Sequence, residues 1–330
     1  MRRLIPAVAC LLLLTACGAK DGDRDADINN PISLDIAASA TFIIPWLVGQ
    51  QNGFFEARGV KVENVIAGDG GSSTLRSGLS GGSPIAEVSF PAVLDAVQQG
   101  ADLEVISGSL NTSVGVDFYA RANNVAVNRM EDVTKLGITN PGSVSETVAT
   151  LAIEDLGLEP KPKLTPTGGV GEGVALLESG DVDATFIPTL VAAGMQDRIK
   201  PILQASEQVG AIQTSVIVVT AEYAESHPGA VKAILQGFQD SVDKIAADPA
   251  QAARIYADYF DVPLEVGRAL VDRTAASPVP VWNLGFDTGS LQRASQAMTL
   301  TGRGRDIDYC STLTGKYLPA GAPIGPLESC

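Results

Sequence analysis

The feature that most constrains this chain is an alternation of β-rich and helix-like stretches, which runs to about residue 107 and starts again at Glu131. Residues 32–37, 60–65, 85–89 and 103–107 read as strands. An apolar helix over 42–51, ended by Asn52-Gly53, separates the first two, and a helix opening near Pro91 and stopping at Gly100 separates the last two. In the second round strands at 136–139, 163–166, 184–187 and 201–203 alternate with helices at 143–156, 172–179 and 189–195. Strand–helix–strand repetition implies mostly parallel sheets covered by helices, because parallel neighbours need a long crossover. The stretch SGDVDATFIPTL at 179–190 echoes GGSPIAEVSFPAV at 81–93: a turn, a short strand carrying an acidic residue, then a proline opening a helix. Two similar α/β lobes are expected.

Two β-branched runs, 114–121 and 214–220, lie at the joins and lack the Gly/Ser flanks of a loose linker. They are expected to pair as strands passing between lobes, with 32–115 and 216–330 forming lobe I and 116–215 lobe II. The alternative makes each an ordinary strand inside one lobe. Beyond Thr220 the pattern is helical, with starts at Pro228, Pro249 and Pro263, where a first-turn proline forfeits no hydrogen bond.

The start of the chain has a different purpose. Arg2 and Arg3 precede an apolar run over 4–14, too short to span about 30 Å of hydrocarbon, so residues 1–16 read as an export signal. Its end, Leu14-Thr15-Ala16-Cys17, resembles the bacterial lipoprotein box, which implies that Cys17 carries lipid; the alternative is an ordinary secretory signal with an incidental cysteine. Residues 17–31 are polar and aperiodic, a flexible tether. Removing Arg2 and Arg3 with the leader takes the 23 basic side chains to 21 against 38 acidic ones, a net charge of −17. That excludes the basic stripe a nucleic-acid binder needs. Cys310 and Cys330 remain as an even pair, read as a disulfide in an oxidising compartment, the alternative being two free thiols. No metal-ligand spacing occurs, no cofactor is expected, and the only histidine, His227, precedes Pro228 at a helix start.

PWLVGQQNGFFEARGVKVENV (45–65) resembles the opening of the extracytoplasmic solute-binding proteins of the nitrate, sulfonate, taurine and thiamine-precursor group. PAVLDAVQQGADLEVI (91–106), ITNPGSVSETVATLAIEDLGL (138–158), LLESGDVDATFIP (176–188), and a tail in which LQRASQAMTLTGRGRDIDY leads to YLPAG continue the likeness in order. The resemblance implies a type II periplasmic-binding-protein-like fold, two α/β lobes joined by two crossover strands. It also implies a monomeric, non-enzymatic receptor, held at the membrane through its lipid alone, that hands a small solute to an ABC permease and its ATPase. Alternatives are an enzyme on the same fold, of the thiamine-pyrimidine or menaquinone type, and a sensor or scavenger without a permease.

In open α/β sheets ligands lie beyond the carboxyl ends of strands. Four loops there are rich in small donors: Ser39 with Thr41; Gly71, Ser72 and Ser73; Asn140, Gly142, Ser143 and Ser145; and Gly168 with Gly169. Glycine admits a ligand close to backbone N–H groups, and a helix N-terminus favours an oxyanion. The simpler reading of each loop is helix capping. Ser89, Asn111, Thr112, Thr214 and Ser215 are polar candidates near the joins, while Phe42, Phe90, Phe186 and Trp282 could flank a ligand or fill the core. Arg76 is the one cation near a candidate loop, inside a helix, so a neutral solute or heterocycle stands beside an anion as the ligand class.

Overall fold

A computed structural model describes residues 26–39, 42–68, 74–76, 78, 82–304 and 307–330. The leader, Cys17, Thr41, Gly71, Ser72 and Ser73 lie outside the described residues, and of Ser39 only the backbone is described. The strands are β1 (Ile32–Ser39), β2 (Val60–Gly68), β3 (Ile85–Ser89), β4 (Leu103–Gly108), β5 (Phe118–Arg121), β6 (Lys135–Ile138), β7 (Lys163–Pro166), β8 (Ala184–Phe186), β9 (Ile199–Leu203) and β10 (Ser215–Thr220). They form two five-stranded sheets, ordered β2-β1-β3-β10-β4 and β7-β6-β8-β5-β9.

The two sheets share one plan. In the first, β1 runs parallel to β2 and β3, and β10 lies antiparallel between β3 and β4. In the second, β6 runs parallel to β7 and β8, and β5 lies antiparallel between β8 and β9. Each antiparallel strand is the first the chain lays down after arriving from the other sheet. The runs at 114–121 and 214–220 therefore do not pair with each other, which corrects that part of the sequence expectation. The contacts between the two crossings fall at residues 110–112 and 211–214, before the first run and at the start of the second. Thr112 bridges Ala211, and Leu110 accepts from the backbone N–H of Thr214 at 2.8 Å. β-branched residues select both kinds of segment, so composition alone could not tell a crossing from the strand it feeds.

Local chemistry sets the helices. Ile44–Asn52 carries Pro45 in its first turn and ends at Gly53 with φ 70°, a left-handed cap that a side chain would strain. Asp248 and Asp287 cap Pro249–Phe260 and Thr288–Leu300 by accepting from Gln251 and Ser290. The last residues of the expected tether are folded rather than loose: Asp27 accepts from the N–H of Asn29 on its side chain and from that of Asn30 on its carbonyl, closing a turn just before β1.

One hydrophobic core lies between the first sheet and its helices, where Trp46 stacks on Phe55 at 5.8 Å and meets Phe238 edge-on at 4.7 Å. The larger core passes from Val88, Phe90 and Val216 of the first lobe, through Phe286, Leu291 and Met298, to Phe118, Leu136 and Val148 of the second. Helix Thr288–Leu300, packed on Val144–Asp155, is thus a third connection between the lobes.

The C-terminal segment is tied down by Thr314 donating to Val105 of β4 and by a disulfide between Cys310 and Cys330. Closing a loop of this length restricts the unfolded chain by roughly 3 kcal/mol. Cys310→Ser with Cys330→Ser is expected to lower unfolding stability in urea by about that much; an unchanged midpoint contradicts the assignment.

Candidate functional site

The crossings bring the carboxyl ends of both sheets to one seam. At the end of β3, Ser89 lies opposite Ser215, and Phe90 donates its N–H to Thr214 at 3.1 Å. At the end of β8, Phe186 lies opposite Phe118, and Ile187 donates to the carbonyl of Asp117 at 3.2 Å. A C-terminal segment lines the outgoing crossing: Asn283 donates to Ser109 at 2.8 Å, Asn111 donates to Val281 at 2.7 Å, and Leu110 bridges Trp282. Gly108 has to be glycine here, because a Cβ would stand 2.4 Å from the carbonyl oxygen of Gly285.

Phe42, Leu110, Val114 and Val281 form a small buried cluster apart from the two cores, against which Trp282 and Val144 pack. Around this seam, buried polar atoms stand without partners: Ser89 Oγ, Asn111 Oδ1, Ser113 Oγ and Trp282 Nε1. Burying such groups unpaired costs on the order of 1–3 kcal/mol each, so a collection of them at one place calls for a ligand or water.

Three arginines of the C-terminal third clasp carboxylates on the second lobe. Arg273 meets Asp117 at 2.5 Å, Arg293 meets Asp155, and Arg303 binds Glu146 while also meeting Asp95 of the first lobe at 3.1 Å. Asp117 is 1% exposed and also accepts from the N–H of Ala205. Deeper still, Glu87 is wholly buried on β3 and accepts from Trp46 Nε1 at 2.5 Å, Ser109 Oγ at 2.6 Å and Ser215 Oγ at 2.7 Å. Burial pushes its carboxyl up to about 7, against the pull of those three hydrogen bonds. The folded state holds this proton more tightly than the unfolded chain. Its contribution to stability is therefore greatest below pH 4.5 and declines as pH rises to about 7.

The predicted loops fall at the seam with differing availability. In the second lobe, Asn140 donates to the carbonyl of Gly168, joining the two glycine-bearing loops. Ser143 caps Val144–Asp155 by accepting from the N–H of Glu146, Glu146 accepts from the N–H of Gly142 at 2.8 Å, and Ser145 accepts from Thr139. These groups are engaged within the loop. A Cβ at Gly142 would lie 2.7 Å from Asp95 and 2.9 Å from Arg303, so this loop touches the first lobe through the Arg303 clasp. Gly169 is half-buried and Gly168 exposed, with φ 96°. The hydroxyl of Thr214 donates to Thr112, Phe90 is fully buried in the larger core, and Phe186 is half-buried against it, 6.2 Å from Phe118.

Sequence reasoning missed Glu87, Ser113, Arg273 and Arg303. Only Glu87 left a usable trace, a carboxylate inside the buried strand IAEVS. Among the described residues no three His, Cys, Asp or Glu side chains gather as a metal site.

A family model described as NMT1/THI5 like matches residues 40–252. No curated protein matches the chain in sequence. Among solved structures, the CA3427 gene product of Candida albicans, described as exhibiting the generic periplasmic binding protein fold, aligns with TM-score 0.70 at 14% identity, over 90% of this chain and 99% of that one. The alkanesulfonate-binding protein SsuA of Xanthomonas axonopodis pv. citri, bound to MOPS, aligns with TM-score 0.69 at 15% identity, over 89% and 96%. The nitrate-binding protein NrtA of Synechocystis PCC 6803 aligns with TM-score 0.65 at 14% identity, over 88% and 83%. At such identities the likeness establishes the fold, that of the periplasmic binding proteins.

Arg273→Ala leaves the carboxylate of Asp117 buried and uncompensated, an expected loss of about 3 kcal/mol in urea unfolding. Adding Asp117→Asn should recover much of that loss; a single variant as stable as the parent contradicts the clasp.

Proposed function

The chain belongs to the NMT1/THI5-like family, and from that premise we propose that it is a solute-binding receptor of an ABC importer, taking a small solute into the seam between its lobes. The observation that carries this reading is the set of unpartnered buried atoms on Ser89, Asn111, Ser113 and Trp282, gathered where both sheets end. A solute of a few heavy atoms would accept from the indole N–H and the hydroxyls, with its apolar part against Phe42. Arg303 beside the seam already holds carboxylates, and Arg273 holds Asp117 through one nitrogen while its Nη2 is buried without a partner, so the donors left for recognition are the neutral ones and that one guanidinium nitrogen. They suit a sulfonate- or nitrate-like group or a small heterocycle. The first lobe's other sequence candidates, Thr41 and the loop 71–73, lie outside the described residues, as does the side chain of Ser39. Asn140, Gly142, Ser143, Ser145, Gly168, Gly169 and Phe186 form the second lobe's wall, and Phe90 and Thr214 hold it in shape from behind.

Capture stabilises the closed arrangement only as far as the solute binds it better than the open one, and release to the permease needs the reverse motion about the crossings. Cys17 carries the lipid that keeps the receptor, as a monomer, on the extracytoplasmic face beside the permease and its ATPase. The role is binding rather than catalysis. The only histidine, His227, is stacked on Tyr223 at the start of helix Pro228–Ala247.

A thermal-shift screen of the leaderless protein against alkanesulfonates, nitrate, pyrimidines and small aromatic acids tests this. At least one solute should raise the melting temperature, by an amount equivalent to about 2.7 kcal/mol at a hundred times its Kd. Asn111→Ala and Trp282→Phe should each weaken that solute roughly tenfold or more, the cost of one lost hydrogen bond to a desolvated group. A panel without effect, or variants that bind equally well, argues against the seam.

A further inference from the structure

Glu87 stands where three parts of the seam are joined. One carboxylate oxygen, Oε1, accepts from Ser109, the first residue after β4 on the outgoing crossing, and from Ser215, the first residue of β10 on the return. The other, Oε2, accepts from Trp46 on the helix that follows Phe42. Ser215 Oγ in turn accepts from the N–H of Leu110 at 3.1 Å, so the outgoing and returning segments are joined to each other through the hydroxyl bound to Glu87. The carbonyl of Ser109 accepts from Asn283, next to Trp282. One side chain thus anchors the segments that carry Asn111 and Trp282, two of the residues whose buried polar atoms have no partner.

The arrangement suits a carboxylate and disfavours a carboxylic acid. Three donors converge on two oxygens. A protonated carboxyl is itself a donor, so one serine would have to turn and accept from it, which breaks the present pattern. Burial pulls the other way, and no cation offsets it. The elements packed around Glu87 present Trp46 from the helix, Ser109 and Ser215 from the crossings, and Ala38 of β1 and Ile217 of β10 at the paired positions. None of these is charged. Burial outweighs the three hydrogen bonds but is partly offset by them, which brings the carboxyl up to about 7.

We propose that Glu87 is a positioning residue for solute capture: its carboxylate holds both crossings in register on the first sheet, and its protonation lets them shift, carrying Trp282 and Asn111 with them. The consequence for capture rests on the seam being the solute site; the movement itself does not. Above that carboxyl's midpoint the seam is held as described, and below it the crossings shift.

The chain's two tryptophans, Trp46 and Trp282, make this testable without a ligand. In protein labelled with 15N-tryptophan, two indole N–H signals are followed from pH 5 to 9, Trp282→Phe assigning them. Trp46, bonded to Glu87, reports the carboxyl directly, and Trp282 reports the crossing. Both are expected to titrate with one common midpoint near neutrality. Ser109→Ala and Ser215→Ala, each removing a donor that favours the charged form, should raise that midpoint. His227→Gln should leave it unchanged. Glu87→Gln, where it folds, should flatten both curves. A Trp46 signal that titrates while Trp282 stays flat overturns the proposal, as does a flat Trp46 signal or a midpoint that follows His227. Because no solute is present, failure here leaves the thermal-shift result untouched, and failure of the screen leaves this one standing.

Discussion

Each sheet of this protein is completed by a strand that the chain supplies on arrival from the other lobe, and the rest of the architecture depends on that exchange. β10 fills the gap between β3 and β4, and β5 the gap between β8 and β9. Neither sheet is whole until the chain has crossed. The crossings are consequently held by sheet hydrogen bonds at both ends and by each other at Thr112 and Ala211. The same exchange aims the carboxyl ends of β3 and β8 at the seam, where side-chain atoms of Ser89, Asn111, Ser113 and Trp282 are buried without partners.

Two kinds of polar interaction divide the work around that seam. Around it, partly buried arginine–carboxylate pairs tie the C-terminal third to the second lobe. At its centre, neutral donors and acceptors are left unpaired, and beneath them the buried carboxylate of Glu87 is bonded to the segment that carries Asn111 and, through Ser109, to the one that carries Trp282. The continuous core through Phe286, Leu291 and Met298 limits how far the lobes can separate, since wide opening would expose the face of helix Thr288–Leu300 to water.

Much of the fold was legible in the sequence. The alternation of strands and helices gave element order because parallel sheets demand it, and Pro228 and Pro249 marked helix starts because proline removes a donor that a first turn does not use. Ser143 with Glu146 three residues on is a capping pattern, and the structure uses the pair at that helix start. What could not be read were contacts made by tertiary pairing. Glu87 meets Trp46, Ser109 and Ser215 across 41, 22 and 128 residues, and Arg303 meets Glu146 across 157. Nothing local in Ser109 or Arg303 distinguishes them from surface residues. The runs at 114–121 and 214–220 misled for a related reason: β-propensity says that a segment is extended, not which neighbour it will find.

The most direct measurement of the central claim is a crystal structure of the leaderless protein with the solute that stabilises it most. The account predicts one molecule enclosed between the lobes, with polar atoms within hydrogen-bonding distance of Trp282 Nε1 and of Asn111 or Ser113, and with Phe42 against it. Solute bound on an outer face, with those four groups still unpartnered at the seam, would contradict it.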